Sequence, residues 1–234
     1  MSSVKAKPEG GPAGGPRRVG TDVVSEPVLA AEGIAKSFSS GLISRRRHLV
    51  LESAELSLQV GEVVGLVGEN GSGKTTLMRI LVGDLRPDAG VVRRHGVIGY
   101  CPQLPSVYPR LTCDEHFELF GAAYRMGRQA ERASRSALYD ALGFRRYAGT
   151  RADHLSGGTL AKLNLGLALL PDPAVPLLDE PYAGFDWDTY QRFWQLVADR
   201  RSAGRAVLIV SHFVEDEDRF DRIVEVRGGR TWSR

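Results

Sequence analysis

The 234-residue chain is long enough for one large domain, or for one domain with a modest insertion. Its 42% hydrophobic and 25% charged residues are the balance of an ordinary globular protein and exclude bulk disorder. The net charge of +3, from 31 basic and 28 acidic residues, is small and its arginines are spread along the chain, so no nucleic-acid partner is expected.

No apolar run approaches the ~18 residues of a membrane helix, and residues 1–18 lack the apolar stretch of a secretory signal. Two cysteines, Cys101 and Cys113, are too few for a disulfide framework and suit a reducing compartment. A cytosolic chain is expected. Residues 1–27 are rich in Gly, Pro and Ser and offer little to bury, so they are expected as a disordered leader, with folding beginning near Val28. The basic cluster Arg45-Arg46-Arg47-His48 reads as a solvated loop, or as a contact with lipid phosphates or a partner.

Residues 62–67 form a short apolar run bounded by glycines and predict a buried strand. A glycine-rich loop follows, and then Leu77, Ile80 and Leu81 share one helical face. Thr112 predicts a helix start with Glu115 as its capping-box partner. Phe117, Phe120 and Tyr124 lie on one face of that helix as expected core, and the pattern stays helical to about Arg151. Further strands are predicted at residues 175–178 and 206–210. Pro176, which lacks a ladder donor, is expected at the first position of its strand. Glu215-Asp216-Glu217-Asp218 reads as the acidic start of a helix rather than a metal site. Strands alternating with helices predict an α/β fold with a mainly parallel sheet.

The loop Gly68-Glu69-Asn70-Gly71-Ser72-Gly73-Lys74-Thr75 has the spacing of a phosphate-binding P-loop. Its glycines let backbone N–H groups turn inward on an anion, and the following helix offers its positive end to the same anion. Lys74 would reach the β- and γ-phosphates, and the Thr75 hydroxyl would ligate Mg²⁺. Thr76 follows at the helix start. The chain is therefore expected to bind a nucleoside triphosphate. Such a loop needs an acidic partner at the end of a neighbouring strand. Asp179 would supply it for the metal, and Glu180 would act as base or orient water.

Together with Leu155-Ser156-Gly157-Gly158-Thr159, these residues resemble the ATP-binding subunit of an ABC transporter, whose signature is Leu-Ser-Gly-Gly-Gln. Gln103, in Gly99-Tyr100-Cys101-Pro102-Gln103, resembles the Q-loop. Asp186, in Ala183-Gly184-Phe185-Asp186, resembles the D-loop, and His212 the switch histidine. Phe38 stands where the family keeps an aromatic residue that stacks on adenine. Taken singly, Gln103 reads as a loop amide, His212 as a surface histidine, Phe38 as core and Ser156 as a helix cap; their order along the chain carries the resemblance.

The resemblance covers residues 28–230 and implies a P-loop NTPase core, an N-terminal antiparallel β subdomain and an inserted helical subdomain at about 104–155. It implies an ATPase with ATP and Mg²⁺ as cofactors. Gln103 would join Thr75 and Asp179 at the metal, and Glu180, His212 and Gln103 would serve hydrolysis. Ser156, Gly157, Gly158 and Asp186 would reach the nucleotide of a second ATP-binding subunit, a like copy or a paralogue, across a head-to-tail dimer. A membrane-spanning permease on another chain would hold the protein at the cytoplasmic face of the membrane. The segment from Gly99 to Phe120 is similar to the exporter branch that handles drugs and lipids, which implies export. Alternatives are a regulatory ATP-binding module with slow turnover and a soluble, non-transport ABC ATPase. Thr159 in place of Gln, Tyr182 in place of a small residue, Phe185 in place of Leu and Trp187 in place of Pro depart from the family pattern.

Overall fold

The computed structural model describes residues 26–40, 46–211 and 214–234. Within them one sheet of nine strands runs β4(Ala89–Arg94), β1(Leu29–Ser40), β2(Arg46–Leu58), β9(Arg230–Ser233), β8(Arg222–Arg227), β3(Val63–Val67), β7(Val207–Val210), β6(Val175–Asp179) and β5(Ile98–Cys101) across its width. The pairings β8–β3–β7–β6–β5 are parallel, whereas β1 pairs antiparallel with both β2 and β4. The α/β fold with a mainly parallel sheet and an antiparallel N-terminal part is thus present, and β8–β9 adds one further antiparallel pair.

The inner strands are apolar on both faces because both are covered. In β3, Val64 and Leu66 point into one apolar cluster with Leu208 and Val210 of β7 and Leu177 of β6. Val63, Val207, Ile209 and Leu178 point into the opposite cluster. This two-residue alternation divides the molecule. Helix α1(Lys74–Val82) packs Leu77, Met78, Ile80 and Leu81 into the first cluster, together with Leu29, Ile34 and Leu51 of β1 and β2. On the other face lie α2(Cys113–Ala123), α3(Arg128–Leu142), α4(Gly157–Leu169) and α5(Trp187–Ser202), which meet around Phe117, Phe144, Leu163 and Phe193. Helix α4 is apolar nearly all round, as a helix packed on most sides must be.

Local signals place several ends. Thr112 caps α2 and forms the full capping box with Glu115. Arg94 closes the other end of α1 by donating to the carbonyls of Ile80 (2.7 Å) and Leu81 (2.6 Å).

Four expectations are corrected. Pro176 is the second residue of β6, not the first; the ladder to β7 begins only at Leu177, so the missing N–H falls outside that ladder. Tyr124 is the C-cap of α2 and is exposed, while Phe117 is fully buried, because the stripe leaves the core with the last turn. Arg47 and His48 lie on β2, paired with Ser39 and Phe38, rather than in a loop: extended pairing outweighs their charge. The acidic run begins no α-helix but lies within a short 3-10 helix, Val214–Arg219. Arg45, and residues 1–25 of the expected leader, lie outside the described residues.

Candidate functional site

The phosphate loop joins β3 to α1, with the helix starting at Lys74. Gly73 stands at the helix N-cap with φ 110° and caps nothing through a side chain, so the first N–H groups of α1 are left for an anion. A Cβ there would meet Leu51 Cδ2 at 2.9 Å, and one on Gly68 would meet the Val226 carbonyl oxygen at 2.4 Å. Only glycine satisfies both the backbone and the space. Ser72 Oγ is buried in the loop with no hydrogen-bond partner among the described residues.

Lys74 is buried and folds back over its own loop, donating to the carbonyls of Gly68 (2.6 Å) and Glu69 (3.0 Å). Burial pushes its ammonium pKa down, and the neighbouring Glu180 and Asp179 pull it up. Two carboxylates therefore stand within electrostatic reach of this cation.

One cleft of about 280 Å³ gathers the pieces: Asn70, Gly71 and Gly73 to Thr76 of the loop and α1, Gln103 beyond β5, and Asp179 and Glu180 at the end of β6. Asp179 is almost wholly buried. Glu180 has φ 50°, a left-handed conformation rare outside glycine. Its N–H donates to Val210 O (3.2 Å) and its carbonyl accepts from Ala183 N–H (3.1 Å), so the turn is held from both sides. Backbone strain of this kind costs on the order of 1–3 kcal/mol and concentrates at functional turns. The Thr75 hydroxyl, Gln103 amide and Asp179 carboxylate are hard oxygen donors on one cleft, a set that fits Mg²⁺ shared with phosphate oxygens.

A second cleft of about 280 Å³ adjoins it, lined by Gln103, Gly157, Gly158, Glu180 and Gly184 among others. Ser156 caps α4 and accepts from Thr159 N–H. Gly158 lies so close to the D-loop that a Cβ on it would sit 2.7 Å from Gly184 O. Asp186 does not line either cleft; it caps α5, accepting from Thr189 N–H at 2.8 Å, and its hydrogen bonds with Thr189 hold its carboxyl below the usual range. Phe38 is 41% exposed on β1, beside Lys36, and lines neither cleft. His212 lies outside the described residues.

Two residues escaped the sequence reading as participants. Asn164, on α4, donates to Pro102 O (2.8 Å) and to Cys101 Sγ (3.2 Å), fastening the helix to the approach to Gln103. Burial and the charge of Asp179 push the Cys101 thiol up, so it remains a protonated acceptor. The one available signal was a lone amide in a largely apolar helix. Tyr182 donates to Ser211 Oγ (2.7 Å), bridging the turn after β6 to the end of β7, and packs edge-on against Tyr190 and Phe193.

Residues 51–183 match the family model described as ABC transporter. The chain is 34% identical over 195 residues to the Nod factor export ATP-binding protein I of Burkholderia orbicola (strain AU 1054), covering 78% of this chain and 64% of that protein. It is 32% identical over 212 residues to ATP-binding cassette sub-family A member 10 of Homo sapiens, covering 82% of this chain but 14% of that protein. The chain thus spans less than two thirds of either relative. The fold is similar to a solved dimeric ATP-binding cassette in a post-hydrolysis state bound to ADP and Pi, with TM-score 0.80 and 24% identity over 88% of this chain and 97% of that one.

Proposed function

The chain belongs to the ABC transporter family as an ATP-binding cassette, and from that premise we propose that it hydrolyses ATP to power export through a separate membrane-spanning partner. The observation that carries the reading is the single cleft shared by the P-loop, Gln103, Asp179 and Glu180. Export is supported by the Nod factor export relatives. Among the described residues no helix is long and apolar enough to cross a membrane, so in this reading the spanning helices belong to the partner, which holds the protein at the cytoplasmic face. The same proposal takes residues 28–230 as the ATP-binding unit, with residues 104–155 as the helical part that meets the permease.

ATP enters with its phosphates against the N–H groups of residues 68–76. Lys74 exchanges its two carbonyl partners for phosphate oxygens, a trade of neutral acceptors for charged ones that strengthens both bonds. Mg²⁺, held by Thr75, Asp179 and Gln103, would neutralise charge on the β- and γ-phosphates. Glu180 accepts a hydrogen bond from the attacking water and orients it, aided by His212. Phe38 stacks on adenine at the exposed edge of β1. Ser156, Gly157, Gly158 and Asp186 face the nucleotide of a second cassette, so ATP joins the two and its hydrolysis separates them.

The test is a size determination of purified Glu180→Gln protein with and without Mg-ATP, beside wild-type and Lys74→Ala hydrolysis. An ATP-dependent dimer, active wild type and inactive Lys74→Ala are expected. Undiminished hydrolysis by Glu180→Gln would sink the assignment of the base, and a wild type that binds ATP but scarcely turns it over would favour a regulatory module.

A further inference from the structure

At the fifth signature position Thr159 brings a hydroxyl where the family pattern has a glutamine amide. Thr159 is buried at 7% exposure, and its Oγ1 lies 2.9 Å from Ser156 Oγ. The same serine oxygen also accepts from Thr159 N–H at 3.3 Å. Ser156 itself is exposed. We propose that Thr159 is a positioning residue: its hydroxyl donates to Ser156 Oγ and leaves the serine proton directed outward, to a γ-phosphate oxygen held by the partner cassette. The inference rests on the sandwich reading above.

At 2.9 Å either hydroxyl could donate to the other, and a phosphate taking the serine proton decides between them. A hydroxyl has one proton and two lone pairs. With the Thr159 N–H on one lone pair of Ser156 Oγ and the Thr159 O–H on the other, the serine proton is left for an acceptor other than Thr159. A phosphate oxygen can only accept, which polarises the pair one way, from Thr159 to Ser156 to phosphate. A donor that is itself accepting is strengthened, by roughly 10–30% per link in condensed-phase terms. The backbone below is held close: Gly158 packs against the Gly184 carbonyl with no room for a Cβ, so the hydroxyl pair is presented from a backed loop. The Asp186 carboxyl, held low chiefly by its hydrogen bonds with Thr189, is also lowered by the charge of Lys162, three residues beyond Thr159.

Thr159→Val and Thr159→Ala remove the hydroxyl by two routes, one filling the space and one not, while Thr159→Ser keeps it. Each is placed in Glu180→Gln protein and titrated with Mg-ATP, with dimer read by light scattering. The ATP concentration for half-maximal dimer should rise about tenfold for Val and Ala and stay within about twofold for Ser, as for one weakened bond to a charged group. ATP binding by dilute monomer should be unchanged, since residues 156–159 do not line this chain's own P-loop cleft. Equal dimerisation by all variants would overturn the inference and leave the proposed function standing. So would a loss in Thr159→Ser as large as in Thr159→Val, which would mark a packing role. If the Glu180→Gln parent forms no dimer, the inference falls together with the sandwich it rests on.

Discussion

Gly99→Ala is the sharpest test of how the fold delivers Gln103 to the cleft. An added Cβ would lie 2.2 Å from Ala168 O and 2.7 Å from Pro173 Cγ. A carbon–oxygen contact needs roughly 3.2 Å, so β5 and α4 must part by about 1 Å in a close-packed interior. The obstacle is helix backbone, which cannot rotate aside as a side chain does, so the cost belongs near the top of the ~1–3 kcal/mol range for overpacking. For a domain of this size that lowers the melting temperature by roughly 6–12 °C. Gly149→Ala is the control: a Cβ there meets nothing within 4 Å, and a change within about 0.5 kcal/mol is expected. The assay is urea unfolding of both variants followed by circular dichroism, with wild-type slopes required for comparison. ATP hydrolysis by surviving Gly99→Ala protein should fall as well, because β5 leads directly to Gln103. If Gly99→Ala unfolds at the same urea concentration as Gly149→Ala, the β5–α4 contact does not carry the weight given to it.

Asn164→Asp should destabilise the protein by about 1–3 kcal/mol, since an ionised carboxylate cannot donate to Pro102 O. Burial raises the pKa of the new carboxyl, so its penalty grows as pH rises above the unfolded value; equal unfolding midpoints, relative to wild type, at pH 5 and pH 8 would refute this. Asp88 accepts from Lys36 Nζ (2.9 Å), Ser37 N–H (2.8 Å) and Ser37 Oγ (3.0 Å), and the Lys36 bond foremost lowers its pKa to about 2. Its folded pKa is depressed, so its contribution is fully present above the unfolded value near 3.8 and is lost as pH falls through about 2. A carboxyl NMR titration that finds Asp88 near 3.8 would contradict the contact.

The pieces of the site most legible in sequence are those whose chemistry demands a residue type at a fixed offset. A phosphate cradle needs its glycines a few positions before a lysine, and a metal carboxylate needs a strand end, so residues 68–75 and Asp179-Glu180 announced themselves, and Asn70, Gly71, Gly73, Lys74 and Thr75 share one cleft with both carboxylates. The Thr112–Glu115 box was legible because both bonds are local. Pairings made across the fold were not. Nothing near Arg47 reports that Phe38 and Ser39 of β1 will pair with β2 there, and charge alone points to solvent. Nothing near Phe38 reports that its ring would remain outside the cleft's lining. Asn164 was hidden for the same reason: its acceptors are more than sixty positions away.

Asn164 and Gly99 act on the same junction, which bears on how the two clefts relate. Gln103 lines both, facing the P-loop in one and Gly157 and Gly158 in the other. Immediately before it, Cys101 and Pro102 are held to α4 by the Asn164 amide, and Gly99 allows β5 to press against the Ala168 carbonyl of the same helix. Gln103 and the start of α4 are therefore fixed to one body. Gln103 cannot shift far unless α4 moves with it or the Asn164 bonds break, at a net cost of about 1–3 kcal/mol. The D-loop belongs to that body too, through the close approach of Gly158 to Gly184. A displacement at Gln103 can thus reach residues 156–158 through packed backbone and two hydrogen bonds, which supplies a physical route between the two clefts.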